Sequence, residues 1–308
     1  MKILVATDKP FAPVAVTQIR EVAVKGGHTL ALLEKYKTPQ ELHVAAADAD
    51  AMIVRSDIVD AAVIAAAPNL RIVVRAGAGY DNLDLGACTA RNIVAMNTPG
   101  QNSNAVAELA FGMMVYAARG GFDGKTGSEL MGKSLGLHAF GNVGKCMARI
   151  ASGFGMECYA FDPFVDKKVM TTDGVTPVDN VEELYTTCQY VSLHIPANDK
   201  TKNSIGEKLL SLMPQGAVLV NTARKEVINE AELVAMMEKR SDMKYLSDIA
   251  PDNAEIFAQK YAGRFFFTPK KMGAQTEEAN INAGVAAAKQ IVAFFATGDE
   301  TYRVNKPK

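Results

Sequence analysis

The chain has 308 residues, 48% of them hydrophobic, enough for two domains that each bury a core. Charged residues make up 22% and nearly cancel, to a formal net charge of -1. No global field would hold such a protein on nucleic acid or on an anionic membrane, so its partners are expected to be small molecules.

Residues 1–6 form an apolar run too brief for a secretory leader and read as a first strand. No stretch approaches the roughly 20 apolar residues needed to cross a bilayer, and a cytoplasmic protein is expected. Cys88, Cys146, Cys158 and Cys188 lack paired or metal-ligand spacing, so they predict ordinary thiols and no metal site.

Short β-branched runs at 3–6, 30–33, 52–55, 72–75 and 93–96 alternate with helix-length amphipathic segments. That alternation predicts an α/β fold with a parallel sheet, because crossover helices cover both faces and leave the strands continuously apolar. A long helix follows at about 102–116, then a second series of six strands at 135–140, 156–161, 190–193, 217–220, 245–249 and 265–267. A last helix at about 277–295 carries apolar spacing suited to packing back on the first lobe. The architecture expected is two doubly wound, Rossmann-like parallel-sheet domains. Residues 1–98 plus 276–308 would form a discontinuous substrate-binding domain, and 99–275 a dinucleotide-binding one.

Residues 135–162 read LGLHAFGNVGKCMARIASGFGMECYAFD. A strand runs into a tight turn whose Gly141, Asn142, Val143 and Gly144 open a helix. Its first amides would face a pyrophosphate. Asp162 ends the next strand, where a carboxylate accepts from ribose hydroxyls and repels a 2′-phosphate, favouring NAD over NADP. Ala139 replaces the first glycine of the fingerprint, and a methyl is tolerated there only if the backbone avoids positive φ. Taken alone, the segment also fits a plain glycine turn followed by an exposed aspartate.

Five further segments carry a resemblance: VRAGAGYDN at 74–82, NTPGQNSNAVAEL at 97–109, VSLHIP at 191–196, GAVLVNTAR at 216–224 and TPKKMGAQTEEA at 268–279. Together they resemble the D-isomer-specific 2-hydroxyacid dehydrogenases along nearly the whole chain. The spelling is closest to the short members that act on 3-phosphoglycerate and lack a C-terminal regulatory domain. The resemblance implies NAD, a homodimer, a substrate cleft between lobes and a place at the start of serine biosynthesis.

It also implies site residues. Arg224 would bind the substrate carboxylate and carbonyl, its planar fork suiting both oxygens. The backbone amides of Ala76, Gly77, Ala78 and Gly79 would form a small anion nest. Arg55, next to Ser56, would read a phosphate with Lys9 nearby, and Asn102 is a candidate substrate contact. Asp248 would accept the nicotinamide carboxamide, with Thr222 and Ala223 beside it. His194, Ile195 and Pro196 would cover the adenosine side, and Thr201 would offer a hydroxyl to the phosphates.

The sequence departs from that family at the acid–base pair. Lys270 stands where the family carries histidine, and Asn253 where it carries the partnering glutamate. A carboxylate raises the pKa of a neighbouring cation, which helps an imidazole and hinders a lysine, so losing both together has a physical logic. Lys270, its pKa lowered by Arg224 and Lys271, is expected to carry the proton. Two alternatives stay open: a reductase for hydroxypyruvate, glyoxylate or another small 2-keto acid, and an NAD-sensing binding protein without turnover.

Overall fold

A computed structural model describes residues 1–305 of the chain. Lys306 to Lys308, assigned above to the first domain, lie outside the described residues. The chain divides into two compact units, Met1–Asn102 with Gln275–Lys308, and Ser103–Ala274.

The first run of elements is β1 (Lys2–Thr7), α1 (Pro13–Lys25), β2 (Thr29–Glu34), α2 (Pro39–Ala46), β3 (Ala51–Val54), α3 (Ala61–Ala66), β4 (Ile72–Arg75), α4 (Leu85–Ala90) and β5 (Val94–Asn97). Then come α5 (Ser103–Ala118), β6 (Ser134–His138), α6 (Asn142–Gly153), β7 (Glu157–Phe161), α7 (Lys167–Thr172), β8 (Thr176–Pro177), α8 (Val181–Thr187) and β9 (Tyr190–Leu193). The chain continues through α9 (Glu207–Leu210), β10 (Val218–Asn221), α10 (Glu230–Lys239), β11 (Lys244–Ser247), α11 (Ala254–Lys260), β12 (Phe265–Phe267) and α12 (Glu277–Thr297).

The first unit holds a five-stranded parallel sheet in the order β2-β1-β3-β4-β5. Its inner strands are buried on both faces, as their unbroken apolar sequences require. On one face Ile3, Val5, Ile53 and Val74 pack with Ile19 and Ala23 of α1 and Ala287 and Ile291 of α12. On the other, Leu4, Met52 and Val73 pack with Leu42, Val63 and Ile64. Each fully buried isoleucine contributes about 1.5–3 kcal/mol. Polar caps start several helices: Asp60 accepts from the amides of Ala62 and Val63 at 3.0 Å, worth about 1 kcal/mol. Thr276 caps α12, which Gly298 ends at φ +74°.

The second unit holds a seven-stranded parallel sheet in the order β12-β11-β10-β9-β6-β7-β8. Six strands were expected. The seventh, β8, is two residues long and pairs Thr176 with Tyr159 and Pro177 with Ala160, too short for any apolar pattern to register. Two apolar layers cover the sheet. One centres on Leu193, Leu219, Val227, Met237 and Phe257, and the other on Leu135, Leu137, Val220 and Leu246 beneath Phe111 and Met114 of α5. Among the described residues no helix is long and apolar enough to cross a membrane.

Candidate active site

The parallel register of the second sheet aligns the expected cofactor residues. Phe161 pairs with His138, His138 with Leu193, Leu193 with Asn221, and Asn221 with Ser247. One residue further along, Asp162, Ala139, His194, Thr222 and Asp248 therefore form a row across the carboxyl ends of β7, β6, β9, β10 and β11. Three of them expose a chemical need. Asp248 Oδ1, Thr222 Oγ1 and His194 Nε2 are buried polar atoms with no hydrogen-bond partner among the described residues, as is Ser192 Oγ one turn of the pleat below. Buried polar groups left unpaired cost free energy, so such a row favours a ligand that satisfies it.

The glycine turn completes that set. Gly141 precedes α6, and the first-turn amides of Asn142, Val143 and Gly144 have no acceptor within the helix. A Cβ at Gly144 would lie 2.7 Å from the Ala139 carbonyl, whereas at Gly141 it would meet nothing within 4 Å. Asp162 fixes this turn from the next strand, Oδ2 accepting from the Phe140 amide at 2.8 Å and Oδ1 from the Phe164 amide at 2.8 Å. Its remaining lone pairs are available to hydroxyls. Ala139 corrects one expectation: its φ is +83°, so the methyl is held in the left-handed region rather than avoiding it. Phosphate-binding amides, an acceptor for a diol and orphaned groups for a carboxamide together fit a dinucleotide.

His194 and Ile195 follow β9, with the His194 amide bonded to the His138 carbonyl at 2.9 Å. Burial pushes the His138 pKa down to about 4 against the pull of Asp162, and pushes His194 to about 3 with His138 adding to the effect. Both rings are neutral at pH 7, and His138 Nδ1 lies 3.2 Å from the Tyr185 hydroxyl. Pro196 is exposed. Thr201 turns inward: its hydroxyl donates to the Pro196 carbonyl at 2.5 Å and accepts from the Asn198 amide at 2.9 Å, so its one proton is used in closing its own loop.

Beside the row, two cations meet on one carbonyl. Ala223 O accepts from Arg224 Nη1 at 2.9 Å and from Lys271 Nζ at 2.5 Å. Burial of the amine lowers the Lys271 pKa from 10.5; Asp248 opposes this and Arg224 adds to it. Burial raises the Asp248 pKa, held back by Lys271, by the Gly273 amide bonded to Oδ2 at 3.0 Å, and by Arg224. The sequence placed Lys270 in this company. Instead, although both lysines are exposed overall, it is Lys271 Nζ that reaches the Ala223 carbonyl, while the Lys270 carbonyl is tied to the Thr268 hydroxyl at 2.8 Å. Asn253 lies at the start of α11, its amide donating to Glu230 Oε2 at 3.2 Å.

In the first unit, Arg55 is already engaged. Nη1 donates to the carbonyls of Lys9 and Pro10 at 2.9 and 3.1 Å, Nη2 donates to Asn280 Oδ1 at 2.6 Å, and the guanidinium lies 5.1 Å from the centre of the Phe11 ring. Among the described residues this leaves the Nε–H and one Nη2–H for an anion. The buried carboxylate of Asp57 gathers the neighbouring strand ends, accepting from the Asp8 amide at 2.7 Å, the Tyr36 hydroxyl at 2.6 Å and the Arg55 amide at 3.2 Å. Ser56 is exposed and Asn102 half-buried ahead of α5. The nest at 76–79 needs correction, because the Ala76 amide is spent on Val54 O at 2.8 Å and the Gly77 amide on Arg75 O at 2.9 Å. Ala78 and Gly79 remain. Gly77 has φ +149°, and a Cβ there would come 1.6 Å from Arg75 Nη1, so only glycine lets that guanidinium lie over the loop.

Residues 95–260 match the family model described as D-isomer specific 2-hydroxyacid dehydrogenase, NAD binding domain. The chain belongs to the D-isomer specific 2-hydroxyacid dehydrogenase family. A crystal structure of NAD+-bound 3-phosphoglycerate dehydrogenase from Entamoeba histolytica matches with 47% identity and a TM-score of 0.85, covering 99% of each chain. D-3-phosphoglycerate dehydrogenase from Methanocaldococcus jannaschii is 35% identical over 294 residues, 89% of this chain and 53% of the relative. Hydroxypyruvate reductase from Thermotoga maritima is 34% identical over 263 residues, 79% of this chain and 84% of the relative. The chain thus spans about half the length of the curated phosphoglycerate dehydrogenase from M. jannaschii.

Within this dehydrogenase family the sequence reading missed four residues that the structure brings forward. Lys271 was read only as a neighbour of Lys270, and nothing in a Lys-Lys pair says which amine reaches the Ala223 carbonyl. Arg75 ends β4 and Asp57 lies in the loop just past β3, the side of a parallel sheet that could have flagged them. Asn221 fell just past the strand expected at 217–220, inside the GAVLVNTAR segment, and was given no role.

Proposed function

We propose that the chain is an NAD-dependent D-2-hydroxyacid dehydrogenase that interconverts 3-phosphoglycerate and 3-phosphohydroxypyruvate, a step leading into serine synthesis. The observation that carries this reading is the row of unsatisfied groups at Asp248, Thr222 and His194, with Arg224 and Lys271 converging beside it. When bound, NAD would supply the hydride acceptor for the substrate C2, and NADH the hydride donor in reverse. Asp162 favours the cofactor without a 2′-phosphate, and the first turn of α6 takes the pyrophosphate.

The protein's own groups supply orientation and the proton. Arg224 holds the substrate carboxylate and polarises the carbonyl oxygen, and the Ala78 and Gly79 amides add donors for an anion. In oxidation a neutral lysine takes the C2 hydroxyl proton while the C–H bond releases hydride. In reduction the ammonium returns that proton to the oxygen. Lys270 was the residue expected in this role; the geometry favours Lys271, whose amine is already drawn beside Arg224. Holding the reacting groups together makes the step unimolecular.

A second reading changes only the substrate. The chain covers 84% of a relative named hydroxypyruvate reductase, and three hydrogen bonds already occupy Arg55, the intended phosphate reader. A spectrophotometric screen of NADH oxidation with phosphohydroxypyruvate, hydroxypyruvate, glyoxylate and pyruvate decides. The proposal expects phosphohydroxypyruvate to be preferred, and Arg55→Ala to erode that preference by about tenfold or more, since a charge-assisted contact is worth about 1.5–3 kcal/mol. Equal loss on phosphorylated and plain hydroxypyruvate would transfer the assignment to the second reading. Binding of NADH with no oxidation by any 2-keto acid would instead support a dinucleotide-sensing protein.

A further inference from the structure

The carbonyl on which Arg224 and Lys271 meet belongs to a peptide that is clamped from both sides by one side chain. Asn221 is 1% exposed at the end of β10. Its Oδ1 accepts from the Ala223 amide at 3.0 Å, and its Nδ2 donates to the Arg224 carbonyl at 2.9 Å. The Ala223 carbonyl lies between those two bonds. Asn221's own backbone is fixed in turn, its carbonyl accepting from Ser247 Oγ at 2.9 Å and from the Asp248 amide at 3.2 Å. A single buried amide thus ties the Arg224 loop to the strand end that presents Asp248. The side chain reaches neither solvent nor the row of unsatisfied atoms, so it acts through its neighbours.

We propose that Asn221 is a positioning residue for the reaction: by holding the Ala223 carbonyl it keeps Arg224 and Lys271 side by side. The inference rests on the reading that these two cations serve the chemistry. An amide is required because the position needs one acceptor and one donor on the same planar group. Serine loses the reach to both partners. Aspartate keeps the acceptor for the Ala223 amide but turns an oxygen toward the Arg224 carbonyl, where two acceptors repel.

The test compares full-length wild type with Asn221→Ser and Asn221→Asp, using NADH and phosphohydroxypyruvate. Because a displacement of about 1 Å can cost about a hundredfold in rate, kcat should fall by about that factor while NADH affinity, read by fluorescence titration, is largely unchanged. The high-pH limb of kcat should also move upward by about one pH unit as the guanidinium leaves the amine, a change that mere loss of folded protein would not produce. Asn221→Asp serves if the serine variant does not fold, since it preserves side-chain shape. Wild-type kcat with an unmoved limb in a folded variant would overturn the proposal. Lys271→Ala is the control for the reading beneath it: if that variant and Lys270→Ala both keep more than about a tenth of the activity, the lysine mechanism fails and this inference fails with it.

Discussion

Ala139 shows how much a single methyl can report. The fingerprint turn demands a left-handed residue, and this chain supplies alanine at φ +83°. Such a conformation costs an L-residue about 1–2 kcal/mol, while glycine would cost about 0.5–1 kcal/mol in chain entropy. Ala139→Gly should therefore stabilise the protein by a fraction of a kcal/mol to about 1 kcal/mol in chemical denaturation, and a clear loss of stability would mean that the methyl's packing outweighs the strain. The lysine pair teaches a related lesson. Sequence spacing from Thr268 and Pro269 pointed to Lys270, yet it is the next amine, Lys271 Nζ, that shares the Ala223 carbonyl with Arg224. Because Lys271 is held below the usual lysine pKa, reduction should weaken as pH rises through a value under 10.5, when the amine loses the proton it must donate. A pH–rate profile of NADH oxidation checks this, and a flat profile up to that value would count against it.

Elements built on three or more consecutive apolar residues were legible from the residues alone, as β3, β4 and β10 show, because parallel strands buried on both faces leave no polar alternation. The two-residue β8 was not, since it has no pattern to read. Backbone availability was equally hidden: residues 76–79 looked like four open amides, but pairing to Val54 and a tight turn at Arg75 consume two of them. Packing between α1 and α12 reaches the functional residues of the same unit. A Cβ on Gly284 of α12 would come 2.7 Å from Ile19 Cδ1 and 3.0 Å from the Phe11 ring, and Phe11 lies under the Arg55 guanidinium. Gly284→Val should thus cost about 1–3 kcal/mol by overpacking, seen as a lower melting temperature, and should raise the KM for the phosphorylated substrate more than it lowers kcat. An unchanged KM in the destabilised variant would separate the seam from substrate reading.

On the scale of the whole molecule, the buried histidines set a pH response. His138 and His194 are neutral in the fold, with pKa values lowered from 6.5 to about 4 and about 3, so the unfolded chain binds protons more readily. Stability is full above pH 6.5 and is lost progressively as pH falls toward those lower values, a tenfold difference in proton affinity between the unfolded and folded chain being worth about 1.4 kcal/mol. Denaturation at pH 7 and pH 5 should show that decline, and His138→Gln should lessen it. The account as a whole turns on which groups move the proton while hydride moves at C2. The most direct measurement is single-turnover absorbance of bound NADH mixed with phosphohydroxypyruvate in wild type, Lys271→Ala and Lys270→Ala. The account predicts that Lys271→Ala slows hydride transfer by about two to four orders of magnitude while Lys270→Ala stays within about tenfold of wild type. A wild-type rate in Lys271→Ala would contradict it.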